Sequence, residues 1–282
     1  MIVAGSSTPD RLPVTPGGHG LGVWAAALGS APRVPAVELA AALVGLDPRD
    51  RPSAIELVVV SAHPDDETLG LGRLAHQWGQ TVGPVTGVLA TAGEACVDHV
   101  MKRPPGLAAR RVAEWHAALD ELGFTSRHVL DLPDGQLGDQ EQTLTAALTR
   151  IVADATVGGR SVVLAAPWRG DPHPDHRAVG RAAATVATAE SLPLVEYPVW
   201  MTYWAEPTAV ESRGQQLVVV PHDAAAERAH HAACLSFTSQ LEPLIAGATP
   251  VVPATMLAHL GEQLLIVSRD LAAVLSITGV PA

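Results

Sequence analysis

The stretch Ile55-Glu56-Leu57-Val58-Val59-Val60 constrains the fold of this chain more than any other. It is a nearly continuous apolar run, rich in β-branched residues, without the alternation of a half-exposed strand. Such a run suits a strand buried on both faces, and strands of that kind belong to parallel sheets covered by helices. The sequence that follows supports the same arrangement. Leu71, Leu74, Ala75 and Trp78 recur at i, i+3, i+4 and i+7, the stripe of an amphipathic helix. A second strand is expected over 84–91. A helix over 107–122 follows, with Val112, Trp115, Leu119 and Leu122 inward, Arg111 and Glu114 on the other side, and Gly123 as its stop. Further strands are expected at 127–130, 161–166, 194–199 and 216–220. Leu144, Leu148, Ile151 and Val152 mark a helix ended by Gly158-Gly159, and two more helices are expected over 175–190 and 223–236. The order β-α-β-α-β-α-β-α-β-β-α predicts an α/β fold: a Rossmann-like, mostly parallel sheet with helices on both faces.

Residues 1–50 read as an N-terminal extension. Its Gly-, Pro- and Ser-rich part, 1–34, is expected to dock loosely, His19 reads as a solvated loop residue, and a short helix is expected at 37–46 before the breaker DPRDRPS. Residues 51–282 read as one domain without internal repeats. The stretch QLLIVSRDLAAVLSI near the C-terminus fits either a strand or a helix. The formal net charge is −11, from 29 acidic and 18 basic residues, which argues against nucleic acid and against an anionic membrane as partner. No window reaches the ~18 apolar residues of a membrane span. Met1 to Arg11 lack the pattern of a secretory signal, and Cys96 and Cys234 form no disulfide framework or metal knuckle. A cytoplasmic location is expected.

The chemistry is concentrated in one tripeptide that occurs twice. His63-Pro64-Asp65 follows the first strand and His173-Pro174-Asp175 follows the strand at 161–166. Both copies stand at the C-terminal end of an expected parallel strand, just before a helix, where open α/β sheets build their ligand crevices. The first copy continues into Asp66 and Glu67, the second into His176. Taken singly, acidic residues before a helix serve as caps, and one helical turn brings many unrelated histidines together. Taken together at matching strand ends, they offer an oxygen and nitrogen ligand set suited to zinc, and ferrous iron also accepts it. A catalytic zinc needs three protein ligands, so the five candidates of the combined set, His, Asp, Asp, His and His, leave two groups for acid–base work or oxyanion stabilisation.

"AHPDDE" at Ala62–Glu67 with "HPDH" at His173–His176 resembles the PIG-L/LmbE-like family of zinc-dependent N-acetylglucosaminyl deacetylases. "TAGEA" from Thr91, "RVAE" from Arg111, "LPDGQL" from Leu132 and "SFTSQ" from Ser236 extend the resemblance, which covers about residues 55–240. It implies that His63, Asp66 and His176 hold zinc and that Asp65 is the base acting on the zinc-bound water. It implies that His173 polarises the carbonyl or stabilises the oxyanion, and that Asp175 orients a histidine neighbour. Arg111 would hold substrate hydroxyl or phosphate groups, and Glu94 would be a further substrate contact. The implied activity is removal of an N-acetyl group from an amino sugar or related glycoside, a small-molecule partner.

Two other readings compete with it. One is an amidase acting on a larger N-acyl group or a thiol conjugate. The other is a metal-holding protein that catalyses nothing, against which the spare carboxylate of Asp65 speaks. A nucleotide-binding Rossmann domain needs a Gly-rich phosphate loop, and Gly70-Leu71-Gly72 is not one. Serine catalysis has no GxSxG context here. Trp200, Tyr203 and Trp204 offer either a stacking surface for a sugar or packing for a loop. The segments before residue 51 and after Pro243 lack counterparts in the family pattern. They are candidates to cover the crevice or to build a homo-oligomer contact.

Overall fold

The computed structural model describes residues 18–46, 55–97, 102–157, 159–245, 247, 249–268 and 271. The breaker DPRDRPS, part of the loop after Glu94, and the end of the C-terminal stretch lie outside them. Among the described residues, a single sheet has the order β3-β2-β1-β4-β5-β7-β6. Its strands are β1 (Ile55–Ser61), β2 (Val85–Thr91), β3 (Ser126–Leu132), β4 (Ser161–Pro167), β5 (Leu194–Tyr197), β6 (Gln215–Val219) and β7 (Leu264–Ser268). β1 pairs in parallel with both β2 and β4, β2 with β3, and β4 with β5. The last two strands run the other way: β7 pairs antiparallel with β5 and β6. The Rossmann-like expectation is met. The described start of the ambiguous C-terminal stretch forms β7, with Leu264–Val267 buried inside the sheet.

The period of a strand explains why β1 is buried throughout and apolar at all but Glu56 and Ser61. Leu57 and Val59 face one hydrophobic cluster, and Val58 and Val60 face another on the opposite side. The first cluster takes Leu71, Leu74 and Trp78 of α2 (Asp66–Thr81) and Trp115 and Leu119 of α3 (Leu107–Leu122). The second takes Leu144 and Leu148 of α4 (Glu141–Thr156) and Val179 and Val186 of α5 (Pro174–Ala189). Helices therefore cover both faces. None of the described helices is long and apolar enough to cross a membrane.

Several details depart from the reading of the sequence. The N-terminal segment is docked firmly over its described part. Trp24 is buried, its indole N–H donates to the Ala205 carbonyl at 3.1 Å, and the Val34 N–H donates to the Val219 carbonyl at 2.9 Å. His19 likewise donates its N–H to the Tyr203 carbonyl. Arg111 and Glu114, on the other side of α3 from its apolar stripe, are buried as well. The side of α3 away from the sheet is covered by the 238–241 segment, whose Ser239 N–H and Thr238 hydroxyl donate to Glu114 at 2.9 Å each.

The two helices that leave the site need close contact with neighbouring strand ends. A Cβ on Gly70 of α2 would lie 2.5 Å from the Pro198 carbonyl oxygen, and one on Gly180 of α5 would lie 2.6 Å from that of Pro167. The Gly-Leu-Gly of α2 is thus a packing device and not a phosphate loop. Gly70→Ala is expected to lower stability by about 1–3 kcal/mol through overpacking. Gly138→Ala, where a Cβ meets nothing within 4 Å, serves as the reference. Urea denaturation of both variants checks this. Midpoints that fall together would mean that α2 needs no such close approach.

Candidate metal centre

β1 and β4 are adjacent and in parallel register, with Val59 opposite Ala165. Their C-terminal ends open side by side at the point where the strand order reverses, and the two His-Pro-Asp segments continue from there. After β1, the chain turns sharply at Asp65, whose φ of 139° is a conformation that L-residues rarely adopt. The turn is held by Asp66, whose Oδ2 accepts from the backbone N–H of Ala62 at 3.0 Å and of His63 at 2.9 Å. After β4, His173 caps α5. Its Nδ1 accepts from the Asp175 N–H at 3.3 Å, and Pro174 occupies the first helical turn.

These turns bring both loops to one point. His63 Nδ1 and His176 Nε2 stand 3.3 Å apart. Asp66 lies 3.2 Å from His176 Nε2 through Oδ1 and 3.6 Å from His63 Nδ1 through Oδ2. Donors on a tetrahedral ion at about 2.0–2.1 Å are separated by about 3.3 Å, so this spacing suits a zinc-sized cation.

The opposite ring nitrogens explain the orientation. His63 Nε2 faces Asp134 Oδ1 at 3.0 Å and Asp175 Oδ2 at 3.3 Å, and His176 Nδ1 faces Asp171 Oδ1 at 3.1 Å. With a metal held between them, each imidazole would donate its outer N–H to a carboxylate and turn the lone pair of its inner nitrogen towards the ion. Carboxylate–histidine pairs of this kind fix the tautomer and raise the basicity of a metal ligand. His173 also offers a ring nitrogen within 4.8 Å of the other two histidines. Its Nδ1 is occupied as an acceptor from Asp175, so its proton sits on Nε2 and makes that atom a donor. Asp66, at 3.2 and 3.6 Å from the inner nitrogens of His176 and His63, is a candidate third ligand beside it, and Asp134 with Asp175 forms a second group around His63.

The electrostatics point the same way. Burial disfavours charge on His63 and His176, yet the surrounding carboxylates outweigh it. His63 is held well above the ordinary histidine range, and His176 is pushed up to about 9 by Asp66 and Asp171. The site draws positive charge into itself. His173 moves the other way, down to about 3, through burial and its two histidine neighbours, and stays neutral. Burial lifts Asp65 to about 7, against the pull of the Arg111 guanidinium. Asp66 and Asp134 are held well below the usual carboxylate range by their histidines, although burial opposes this.

A cavity of about 780 Å³ opens over this centre. His63, Asp65, Asp66, His173 and Asp134 line it, as do Trp200 and Trp204. Asp175 is buried beneath, accepting from the N–H groups of Gly135 at 2.8 Å and Leu137 at 3.2 Å. Arg111, expected to hold substrate, borders the cavity at 3% exposure, but its guanidinium is engaged. It donates to the Gly93 carbonyl, to the Pro64 carbonyl at 3.0 Å and to Asp65 Oδ1 at 3.3 Å. Glu94, expected as a substrate contact, is not among the lining residues; its carboxylate faces Arg103 at 3.9 Å and the Asp134 N–H.

Reading the sequence missed Asp134 and Asp171 as individual residues. Asp134 lay in view inside "LPDGQL". Asp171 carries no local signal, and its role rests on a fully buried position between two elements.

Residues 58–187 match the family model described as PIG-L, GlcNAc-PI de-N-acetylase. The chain is 29% identical over 196 residues to a 1D-myo-inositol 2-acetamido-2-deoxy-alpha-D-glucopyranoside deacetylase of Streptomyces avermitilis, covering 58% of this chain and 67% of that protein. A protein of the same description from Rhodococcus erythropolis is 28% identical over 177 residues, covering 55% of this chain and 60% of that protein. The chain thus spans about 60% of the length of that relative. Among solved structures, the N,N'-diacetylchitobiose deacetylase of Pyrococcus horikoshii superposes with a TM-score of 0.51 at 19% identity, over 70% of this chain and 76% of that one. The A40926 pseudoaglycone deacetylase superposes with a TM-score of 0.51 at 22% identity, over 70% and 86%. At these identities the structures share the fold. Over residues 58–187, this chain is similar to the PIG-L family.

Proposed function

We propose that this protein is a metal-dependent hydrolase that removes an N-acetyl group from an amino sugar or related glycoside. One observation carries the reading: His63 Nδ1, His176 Nε2 and the Asp66 carboxylate converge within 3.2–3.6 Å, with the carboxylate of Asp65 beside them. The curated relatives support it, since their names describe deacetylation of a 2-acetamido-2-deoxyglucopyranoside. In this reading residues 51–282 form the hydrolase domain, and residues 1–50 are an extension of it. We place its action in the cytoplasm, on a small molecule.

His63, Asp66 and His176 would hold the ion, zinc in the first instance and ferrous iron as the alternative. A bound zinc supplies Lewis acidity, which polarises the amide carbonyl and acidifies water. Asp65 is the base. Burial raises its affinity for a proton, and its Oδ1 is steered by Arg111. Arg111 is assigned here to positioning Asp65 and not to gripping substrate. His173, neutral and with its proton on Nε2, donates to the carbonyl oxygen as negative charge develops there. The Asp65 carboxylic acid then returns its proton to the departing amine. Asp134, Asp171 and Asp175 hold the imidazoles in place.

Metal analysis and an amine-release assay on N-acetylated sugars test this reading. His63→Ala is expected to lose the metal. Asp65→Asn is expected to keep it while turnover falls by about 10²–10⁴. An Asp65→Asn protein that retains full turnover would end the hydrolase assignment. Asp171→Asn is expected to weaken zinc binding by about 10–100-fold in competition with a chelator. An affinity equal to that of the unaltered protein would remove Asp171 from the support of the metal centre.

A further inference from the structure

We propose that the cavity selects an N-acetylamino sugar whose aglycone is a flat apolar ring system, seated on the face made by Trp200 and Trp204. The inference rests on the deacetylase reading and names its substrate class. Trp200 and Trp204 stack with ring centroids 4.2 Å apart and planes 13° from parallel, and both line the cavity. Apolar side chains, among them Leu69, Val199, Val251 and Val252, line it as well.

The aromatic face is tied to the metal centre by one buried carboxylate. Asp171 Oδ1 accepts from His176 Nδ1 at 3.1 Å, and Asp171 Oδ2 accepts from the Trp200 N–H at 3.1 Å. The position of the wall relative to the metal histidine is therefore fixed. Tyr203, which lines the cavity beside the two indoles, is itself anchored. The Tyr203 hydroxyl bonds Thr255 at 3.0 Å, its ring meets the edge of His259, and its carbonyl accepts from the His19 N–H at 2.7 Å. Ordinary loop packing does not require two stacked indoles held in register with a catalytic histidine. A preorganised binding face does.

The size of the cavity assigns the ligand. An acetyl group fills a small fraction of 780 Å³, so most of the space serves the amine side of the scissile bond. That volume is towards the upper end of sites that take drug-sized ligands, and it exceeds what one acetamido sugar fills. Apolar side chains make up most of the remaining lining, with Gln240 and Thr249 among its few polar members away from the His/Asp group that must face the acetamide. A polyhydroxylated aglycone, such as the inositol in the names of the curated relatives, would bury hydroxyls against indole, leucine and valine without partners, which is unfavourable. An aromatic aglycone would instead stack on the exposed indole face.

Calorimetry on zinc-loaded Asp65→Asn protein measures the binding, with methyl, p-nitrophenyl and inositol N-acetylglucosaminides as probes. The p-nitrophenyl glycoside is expected to bind about tenfold more tightly than the methyl glycoside, the scale of one stacking contact with its buried area. Adding Trp204→Ala should bring that ratio close to one, whereas Trp204→Phe, which keeps an aromatic ring, should preserve most of it. Equal affinity for all three glycosides, or tightest binding of the inositol glycoside, overturns the proposal. So does a Trp204-dependent gain seen with N-octanoylglucosamine instead, since the apolar group would then lie on the acyl side. Amine release by the unaltered protein separates the two readings. Release from all three glycosides at equal efficiency leaves the deacetylase standing and sinks the aglycone preference. Trp204-dependent binding of the aryl glycoside with no release from any of them sinks the deacetylase, and the substrate assignment with it.

Discussion

The parallel pairing of β1 with β4 holds the site together. These strands are distant in sequence, yet their register places their C-terminal ends side by side, with Val59 opposite Ala165. Each strand then delivers one imidazole to a common point, and the nitrogens meet at 3.3 Å. A slip in that register would separate the metal histidines and reverse the faces of the strand residues. The two hydrophobic clusters oppose such a slip, because Leu57 and Val59 bury against one helix layer while Val58 and Val60 bury against the other. The core and the chemistry thus depend on the same alignment.

The site concentrates acidic groups where water is scarce. Asp65, Asp66, Asp134, Asp171 and Asp175 are all buried, and burial of carboxylates is unfavourable unless they are paired. Three of them reach the outer nitrogens of His63 and His176, and Asp66 reaches the inner ones. Backbone N–H groups supply the rest of the compensation: Ala62 and His63 for Asp66, and Gly135 and Leu137 for Asp175. The backbone of Asp65 adds a further cost. Its φ of 139° is the kind of conformation that persists only where surrounding contacts enforce it, and such conformations collect at functional sites. Arg111 provides that enforcement by gripping the Pro64 carbonyl and the Asp65 carboxylate together.

The regions that lacked a family counterpart are not passive. Residues on the N-terminal side of β1 bond to the β6 strand and to the segment carrying the aromatic wall. The segment beyond Pro243 adds Val251 and Val252 to the cavity and β7 to the sheet. They pack around the β1–β4 edge, where the two His-Pro-Asp segments meet, and they shape the cavity above it.

The sequence by itself determined the layered α/β architecture, because buried parallel strands and amphipathic helices have distinct apolar periods that can be read locally. It also marked both His-Pro-Asp segments, since their identity and position at strand ends are visible without coordinates. Asp171 could not be found that way, because its importance arises from touching His176 and Trp200 at once. The burial of Arg111 and Glu114 was illegible for a similar reason: only the packed fold brings the 93 loop and the 238–241 segment over them. β7 was equally illegible, because a short apolar stretch suits a strand or a helix until neighbouring strands offer it hydrogen bonds. Local periodicity decides which elements form, whereas long-range contacts decide which of their polar groups meet, and the chemistry of the site belongs to the second kind.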